Sequence, residues 1–562
     1  MNTINKRRDF LKSLLSTGIA GSLGPSLGVS LAAAGQLALM RQATAASPPF
    51  SDYKAIVNIF LYGGNDSFNM LIPTGSASNT GHGDYDAIRG NLAVANNDLG
   101  ITTASSTGTD LNNGNLGTGS GNPYHEDGTE QSAYLKGLYD LSSSKGIDLG
   151  VNGVMPELAQ LITDNKASVV ANVGNLVNPV SRAEVLNDSA NLPLFLFAHN
   201  HQQRALKTGQ ADNLSAAGWA GRIADNWQGI NNNSPLGLNI AYSGSDRMVV
   251  GDSTSPLVLN PGQPPNFTGM KLAGNSSDQD RRAFFQALAG IQNSSSSGNL
   301  NFDISNTFAT SDPFKSLYSK LLTKSQGTFD LLGNAWNDNV ISYTSTGSYG
   351  EPLFSKPSAD DLGFNNAVGG GLIKQLDTVA KMIDLGARDA FSTGSYNRQI
   401  FTVRLGGFDT HATQEDKHPL LLREISLALW KFQKAMEELG HANKVTTFTL
   451  SDFGRTVSNN GDGTDHAWGA HHIVMGGDGA GDAGNFKGGQ MLGSLPDITL
   501  GGADDYSSKG RIIPTTSQDQ LNATLCNWFG VDEALMPTVF PNLQNFKSGS
   551  DLQSAYLNDL FA

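Results

Sequence analysis

The sequence predicts an α/β fold in which helices cover both faces of a largely parallel central sheet. Apolar runs rich in β-branched residues indicate strands over residues 55–62, 400–405 and 445–450. Between the last two runs, residues 419–439 carry apolar side chains at helical spacing, which predicts one long amphipathic helix. A strand, a long helix and a second strand form a βαβ unit with parallel strands. The strands are almost continuously apolar, which is typical of a sheet buried on both faces.

Further elements and two insertions complete one large predicted domain over residues 46–562. The additional predicted elements are two strands and two helices, at residues 168–173, 473–475, 155–164 and 372–385. Residues 75–130 are rich in Gly, Asn, Ser and Thr, which predicts a polar surface insertion. Residues 230–360 alternate helical pieces with Ser-, Asn- and Gly-rich tracts, so we expect a second, helical and irregular insertion there.

Residues 1–45 form a predicted signal peptide. Arg7 and Arg8 lie in a basic start, residues 13–40 are mildly apolar, and residues 43–45 are small, as at a cleavage site. The paired arginines are typical of twin-arginine signals, so the translocation machinery is the expected partner and the periplasm or exterior the expected location. An amphipathic N-terminal helix is the alternative. Elsewhere no run of eighteen apolar residues exists, so no permanent membrane span is expected.

The composition excludes several classes of protein. A hydrophobic fraction of 39% in 562 residues can build a large core. The single cysteine, Cys526, excludes an internal disulfide and a cysteine-built zinc site. Removal of residues 1–45, which carry five basic residues and one acidic residue, changes the formal net charge from −14 to −18. Such an acidic chain has no electrostatic attraction to nucleic acid, and no such partner is expected.

Polar residues of metal-binding type follow the predicted strands or precede the last of them. In chain order they are Asp66, Asp409, His411, Asp452, His466 and His472. In open α/β sheets the ligand site lies beyond the carboxyl ends of the strands, so these residues should converge. An aspartate after a strand can also be a turn former or a helix N-cap, but several such positions together favour a metal site. Oxygen and imidazole ligands suit zinc, manganese, magnesium or calcium.

Four segments together resemble the exported domain-of-unknown-function 1501 family. They read LYGGNDSFNMLIPT, GGFDTHATQ, TLSDFGRTVSNNGDGTDHAWGAHH and, near the end, NWFGVDE. The resemblance extends over residues 54–546, and the family is placed in the alkaline phosphatase/sulfatase-like superfamily. It implies an alkaline phosphatase-like fold with one or two divalent metal ions at the strand ends, with zinc expected first.

The resemblance also implies roles for individual residues. Asp66 resembles the first-strand aspartate that binds a second metal. Asp409 and His411 resemble the pair that binds the first metal, although their spacing is shorter than the usual Asp-x-x-x-His. Asp452 matches the aspartate of a Ser/Ala-Asp-x-Gly motif, and His466 resembles the late histidine that precedes the final strand.

Other positions are less decided. His472 is taken as a metal ligand, because only one of two adjacent histidines can point into a site. His199 is assigned to substrate binding. Arg455 either contacts an anionic substrate or is a structural ion-pair residue. Phe453 stands where phosphatases often have a histidine ligand.

The nucleophile is not identifiable from the sequence. The family segment usually reads Ser-His, whereas this chain has Ala198-His199, and an alanine cannot attack phosphorus or sulfur. Formylglycine is excluded because Asn527-Trp528-Phe529 follow Cys526. The first functional hypothesis is an exported metal-dependent hydrolase of small phosphate or sulfate esters, with water as the attacking group. The second is a non-catalytic exported binding or surface-assembly protein, so enzymatic activity stays open.

Overall fold

The structure describes most of the chain, including all the residues of the sheet described below. This computed structural model describes residues 50–100, 130–262, 276–288 and 313–561, apart from residues 228, 243, 392, 393, 395 and 483. The predicted signal peptide lies outside the described residues, and so do residues 101–129 of the predicted polar insertion.

Five of the described strands coincide with apolar runs predicted to be strands, and the others are shorter and were not predicted. In chain order the strands are β1 (Lys54–Tyr62), β2 (Leu71–Pro73), β3 (Leu138–Asp140), β4 (Leu149–Asn152), β5 (Ala167–Gly174), β6 (Asn239–Tyr242), β7 (Leu257–Leu259), β8 (Arg398–Gly406), β9 (Val445–Ser451), β10 (Ala470–Gly476), β11 (Met491–Leu492) and β12 (Thr516–Ser517). The five that were predicted are β1, β5, β8, β9 and β10.

The helices include the long amphipathic segments that the apolar periodicity predicts. They are α1 (His82–Arg89), α2 (Glu130–Lys136), α3 (Ser142–Lys145), α4 (Pro156–Thr163), α5 (Arg182–Leu186), α6 (His199–Thr208), α7 (Trp219–Asn226), α8 (Ser276–Leu288), α9 (Pro313–Asp338), α10 (Ala359–Leu362), α11 (Gly371–Ala387), α12 (Gln414–Glu438), α13 (Gln518–Phe529) and α14 (Met536–Val539).

Nine of the described strands form one sheet in the order β11-β5-β10-β9-β1-β8-β6-β7, with β12 also paired to β5. β1 lies at the centre and pairs in parallel with β8 on one side and β9 on the other. The predicted βαβ unit of β8, α12 and β9 therefore exists, but its two strands straddle β1. The expected α/β fold with a largely parallel sheet flanked by helices is confirmed.

Among the described strands of this sheet, β10 alone runs opposite to the rest. It pairs antiparallel with both β9 and β5. An antiparallel strand begins at the edge where its parallel neighbours end. The loop before β10, with residues 461–469, is therefore brought to the same edge as the segments after β1, β8 and β9.

Both faces of β1 are covered, as its continuous apolar sequence predicts. Val57 on one face belongs to a buried cluster with Leu158 of α4 and Ile425 of α12. On the other face the ammonium group of Lys207, from α6, lies 4.4 Å from the centre of the Phe60 ring. Alternate side chains of a strand point to opposite faces, so an unbroken apolar run requires packing on both.

The two segments interpreted as insertions contain structure that the sequence did not reveal. β6 and β7, from the predicted insertion at residues 230–360, extend the sheet beyond β8 in parallel. They have four and three residues, too few for a clear alternation pattern. In the other segment, α1 buries Tyr85 and Arg89 completely. The described parts of both segments therefore contribute to the sheet or to its buried surroundings.

Apart from residues 226–229, the described residues belong to one compact unit of residues 49–225 and 230–562. The other unit combines residues 226–229 with residues 1–48, and those first 48 residues lie outside the described part. No helix in the described ranges has the length and apolar character that crossing a membrane requires.

Candidate metal centre

Four loops meet at the carboxyl edge of the sheet and build the candidate site. They follow β1, β8 and β9, and precede β10. The backbone N–H of Phe408 donates to the carbonyl of Tyr62, which joins the first two loops at 3.1 Å. Gly63, at φ +116°, makes this approach possible, because a Cβ there would lie 2.4 Å from the Asp409 nitrogen. A short bridge between Arg455 and His466 joins the other two loops.

Three histidines direct their Nε2 atoms toward one carboxylate oxygen. The Nε2 atoms of His411, His466 and His199 lie 3.2, 3.3 and 3.5 Å from Oδ1 of Asp409. The Nε2 atoms of His411 and His466 are themselves 2.9 Å apart. His199, Asp409 and His466 each offer a ligand atom within 4.8 Å of the others. We call His199, Asp409, His411 and His466 the imidazole cluster.

The opposite nitrogen of each imidazole is held by an oxygen atom. Nδ1 of His199 lies 2.6 Å from Oδ2 of Asp452, and Nδ1 of His466 lies 2.9 Å from the carbonyl oxygen of Phe197. Nδ1 of His411 lies 3.3 Å from Oδ1 of Asp465. Carboxylates and carbonyls only accept hydrogen bonds, so all three Nδ1 atoms carry the proton.

This tautomer has a direct electrostatic consequence. A neutral imidazole protonated at Nδ1 carries a lone pair on Nε2. Three such lone pairs and the Asp409 oxygen are then acceptors that share a small volume. The Arg455 guanidinium already contacts this oxygen, and the remaining acceptors favour a further cation among them, either a proton on an imidazole or a metal ion. Fixing Nδ1–H to an oxygen is also the arrangement that orients histidine ligands in metal sites.

Burial and neighbouring charges keep the main groups in the states that bind cations. Burial is the largest influence on His466 and lowers its pKa below 6.5, so the ring is neutral at pH 7. Burial alone would raise the pKa of Asp409, but Arg455 and the neighbouring His466 and His199 bring it below 3.8. The pKa of Asp465 is also lowered, because hydrogen bonds from Asn460 and His411 outweigh its burial.

Arg455 is fully buried and its guanidinium is occupied by the loops themselves. It donates to the carbonyls of Gly63, Gly64, Phe408 and Thr464 at 2.9–3.0 Å, and it forms an ion pair with Asp409. These contacts tie the loop after β9 to the other three loops. The structure therefore favours the structural ion-pair role that the sequence left open over direct contact with a substrate.

Asp452 lies behind the imidazole cluster and supports it. Its Oδ2 accepts hydrogen bonds from the Gly63 N–H at 3.1 Å and from the Gln203 side chain at 2.9 Å, in addition to His199. Its side chain is completely buried, whereas that of Asp409 is half exposed. Asp452 thus holds His199 in place, while Asp409 faces the accessible side.

Asp66 is at the same sheet edge but does not join the cluster. Its two carboxylate oxygens accept both terminal nitrogens of Arg89, at 2.9 and 3.0 Å, and the Gln414 side chain donates to it at 2.6 Å. Asp66 and Arg89 are both fully buried. Where the family resemblance implied a second metal ion, the structure places a buried arginine.

His472 is likewise outside the cluster. It lies within β10 opposite Val170, and burial lowers its pKa to about 3. A cavity of about 10 Å³, room for about one water molecule, is lined by both His472 and Asp452. His471 beside it accepts the Asn172 N–H at 3.1 Å.

Phe453 and Ala198 shape the cluster without supplying ligands. The Phe453 ring packs against His199 and His466, with ring centres 4.7 and 4.6 Å apart, and forms an apolar wall. Ala198 is the N-cap of α6 and offers only a methyl group. The hydroxyl of Thr410, beside Asp409, is buried and bonded to Gln414.

The sequence interpretation missed three supporting groups: Asp465, Gln203 and the Phe197 carbonyl. Asp465 directly precedes His466, and Gln203 is four residues after His199, which places both on one face of α6. Those spacings were visible in the sequence. The Phe197 carbonyl carried no sequence signal, because every residue has one. His199 was expected at the substrate, whereas its Nε2 faces Asp409.

The fold and site define an α/β protein with a histidine- and aspartate-rich cluster at the carboxyl edge of its sheet. Residues 389–544 match the family described as "Protein of unknown function (DUF1501)", which supports the resemblance to that family. The match includes Asp409, His411, Asp452 and His466, but not His199.

The comparisons with curated proteins and with solved structures do not identify a relative of this chain. No curated protein matches this chain. Two solved structures are similar at a TM-score of 0.26, each covering 69% of this chain and 71% of its own. They are described as "Crystal structure of Ps i-CgsB", at 8% identity, and as the same protein "in complex with k-i-k-neocarrahexaose", at 10%. A TM-score at this level does not establish a shared fold.

Proposed function

We propose that the protein is an exported, metal-dependent hydrolase of phosphate or sulfate esters in the alkaline phosphatase/sulfatase-like superfamily. Its metal ion is held by the imidazole cluster. The observation that carries the proposal is the convergence of three Nε2 atoms on Oδ1 of Asp409 while each Nδ1 is held by an oxygen. Such an arrangement of acceptors supports the binding of a metal ion.

The donor set favours zinc among divalent ions. Imidazole nitrogen suits zinc, whereas magnesium and calcium prefer oxygen ligands, so three imidazoles disfavour them. Three histidines and one aspartate provide four ligand atoms, the number that zinc usually takes. One ion per chain is expected rather than two, because Arg89 already neutralises Asp66.

The chain's own residues define what the site can do. Asp409 and His411 are about half exposed and leave the cluster open to a substrate on that side. Phe453 packs as an apolar wall against His199 and His466, and Arg455 fixes the loops. When bound, zinc would polarise an ester oxygen and balance the charge that develops on it. Because Ala198 cannot act as a nucleophile, water is the attacking group in this proposal.

Metal analysis tests the cation requirement. Protein purified without chelator should contain about one zinc ion per chain, the stoichiometry expected for a single four-ligand site. Asp409→Asn and His466→Ala should contain none, while Asp462→Ala, an exposed change in the same loop, should match the wild type. If the wild-type protein binds no divalent ion, even after incubation with zinc, the proposal is wrong.

Ester hydrolysis tests the catalytic step. Zinc-loaded protein should hydrolyse at least one member of a panel of phosphate and sulfate monoesters, and His466→Ala should abolish that activity. Zinc binding without hydrolysis of any panel member would support the second candidate, a non-catalytic binding or surface-assembly protein. Ala198 at the N-cap of α6 is the observation that favours this candidate.

Export is part of the proposal and has its own test. The paired arginines Arg7 and Arg8 motivate it, with the twin-arginine translocation machinery as partner. Replacing both with lysine should retain the protein in the cytoplasm in a cell-fractionation experiment. Unchanged export of the double variant would exclude the twin-arginine route.

A further inference from the structure

The segment before α6 presents large apolar side chains to solvent beside the imidazole cluster. Phe195 is 63% exposed and Leu194 is 42% exposed. Two residues later, the carbonyl of Phe197 holds Nδ1 of His466 at 2.9 Å. Two residues of extended chain span at most about 7 Å, so Phe195 is close to the cluster. We call residues 192–197 the apolar lip.

The apolar lip is anchored, so the exposure of its side chains is built into the fold. The Leu194 N–H donates to the Ala211 carbonyl at 3.2 Å, and the Leu194 carbonyl accepts the Gln202 side chain at 3.0 Å. The Phe195 carbonyl accepts the Ala198 N–H at 3.1 Å. Leu192, Leu196 and Phe197 pack against a buried cluster around Trp468.

The backbone of the lip is also strained at two bulky residues. Phe195 has φ +52° and Phe197 has φ +73°, in the left-handed region that side chains other than glycine rarely adopt. Strain of this kind persists only where surrounding structure enforces it, and it concentrates at functional sites. The Phe195 ring lies beside that of His201, with ring centres 4.2 Å apart.

We propose that Leu194 and Phe195 bind the alcohol side of the substrate, so that the ester hydrolysed at the imidazole cluster carries an aromatic or extended apolar group. The inference rests on the proposed hydrolase function and deepens it. The cluster would take the anionic end of the ester. The apolar lip is joined to the cluster through Phe197. It offers the alcohol side of the ester an apolar surface with an aromatic ring, on which a second ring can stack.

Two esters with similar leaving groups test this inference. 2-Phenylethyl phosphate and 2-hydroxyethyl phosphate both release a primary alcohol and differ chiefly in apolar area, and the matching sulfates serve if sulfate is the preferred ester. The zinc-loaded wild type should prefer the phenylethyl ester in kcat/KM. Phe195→Ala, which keeps the Cβ and therefore the backbone strain, should lower that preference about tenfold.

Three further variants complete the design. Phe195→Tyr keeps the ring and should retain the preference. Leu194→Ala should also lower the preference for the phenylethyl ester. This variant replaces Phe195→Ala in the test if Phe195→Ala does not fold. Val340→Ala removes an apolar side chain that is 85% exposed in the segment after α9. It should leave kcat/KM for both esters unchanged.

The outcomes separate the inference from the proposed function. Equal use of both esters, with a ratio unchanged in Phe195→Ala, would overturn the inference and leave the hydrolase intact. Hydrolysis of no ester by the zinc-loaded wild type would overturn both. If Phe195→Ala instead changes the oligomeric state or the sedimentation with lipid vesicles, at an unchanged ester ratio, the lip is an interface and the inference is wrong.

Discussion

Asp66 and Asp409 lie at the same edge of the sheet, yet the fold treats the two carboxylates in opposite ways. Asp66 is completely buried and paired through both oxygens with Arg89. Asp409 is half exposed, and although Arg455 contacts it, three imidazole nitrogens also point at it. One carboxylate is neutralised within the chain, whereas the other is surrounded by groups that can accept a further cation.

The difference shows how to separate a structural acid from a ligand at one sheet edge. A buried carboxylate must be neutralised, because an unpaired charge costs several kcal/mol away from water. Arg89 meets that requirement for Asp66 and leaves no need for a metal. Asp409 has one such partner in Arg455, but three imidazole nitrogens also surround its Oδ1, and these can accept a further cation.

A third carboxylate, Asp519, shows another solution. It is buried near the start of α13, and burial raises its pKa to about 8, opposed by Arg222 and reinforced by Asp212. At neutral pH this group is therefore largely protonated. The chain thus uses an arginine at Asp66 and a proton at Asp519, and we propose a metal ion at Asp409.

The largest expected effect comes from breaking the Asp66–Arg89 pair. Arg89→Met leaves the Asp66 charge buried without its partner, so the free energy of unfolding should fall by about 3–5 kcal/mol. Denaturant titration of chelator-treated protein at pH 7 measures this change. Asp66→Asn combined with Arg89→Met removes both charges and should recover most of the loss.

The imidazole cluster provides the contrasting control. His411→Ala, whose side chain is 44% exposed, should change the stability of the metal-free protein by less than about 1 kcal/mol. If Arg89→Met were no more destabilising than His411→Ala, the distinction between a structural and a ligand carboxylate would fail.

Asp519→Asn should have an intermediate effect, with a defined pH dependence. The folded-state pKa of about 8 lies above the ordinary 3.8, so the folded protein binds this proton more tightly than the unfolded chain. The stability contributed by that proton is full below pH 3.8 and is lost as the pH rises toward 8. Asparagine mimics the protonated group and should stabilise the protein at pH 8, and the shift from 3.8 to about 8 sets an upper bound of about 5 kcal/mol on this effect.

Unfolding curves at pH 4, 6 and 8 check this prediction. The stability difference between Asp519→Asn and the wild type should grow with pH. Asp462→Ala, an exposed acid, should show no such trend. A variant that is less stable than the wild type at every pH would show that Asp519 is ionised and paired.

Asp465→Ala should have the smallest effect, confined to metal affinity. Asp465 holds Nδ1 of His411, and loss of such a partner typically weakens metal binding about 10–100-fold. Competition with a chromophoric zinc chelator measures the change, with Asp462→Ala as the matched control from the same loop. Equal affinities in the two variants would show that Asp465 does not orient the ligand.

Sequence reasoning recovered the main strands and helices because their apolar periodicity is local. β1, β5, β8 and β9 follow short continuous apolar runs, and the long helices α11 and α12 follow apolar patterns that repeat every three to four residues. It missed β6 and β7, which are too short for a pattern. It also located the loops that carry Asp409, His411, Asp452 and His466.

The sequence by itself determined the main strands of the sheet, the residue types available to bind a cation and the exclusion of cysteine ligands. Only the tertiary structure decided which of those residues meet. His199 contacts Asp452 across 253 positions, and Arg89 reaches Asp66 through the packing of α1. The antiparallel direction of β10 brings His466 to the cluster. These pairings depend on how distant segments pack around a shared core, which local periodicity does not encode.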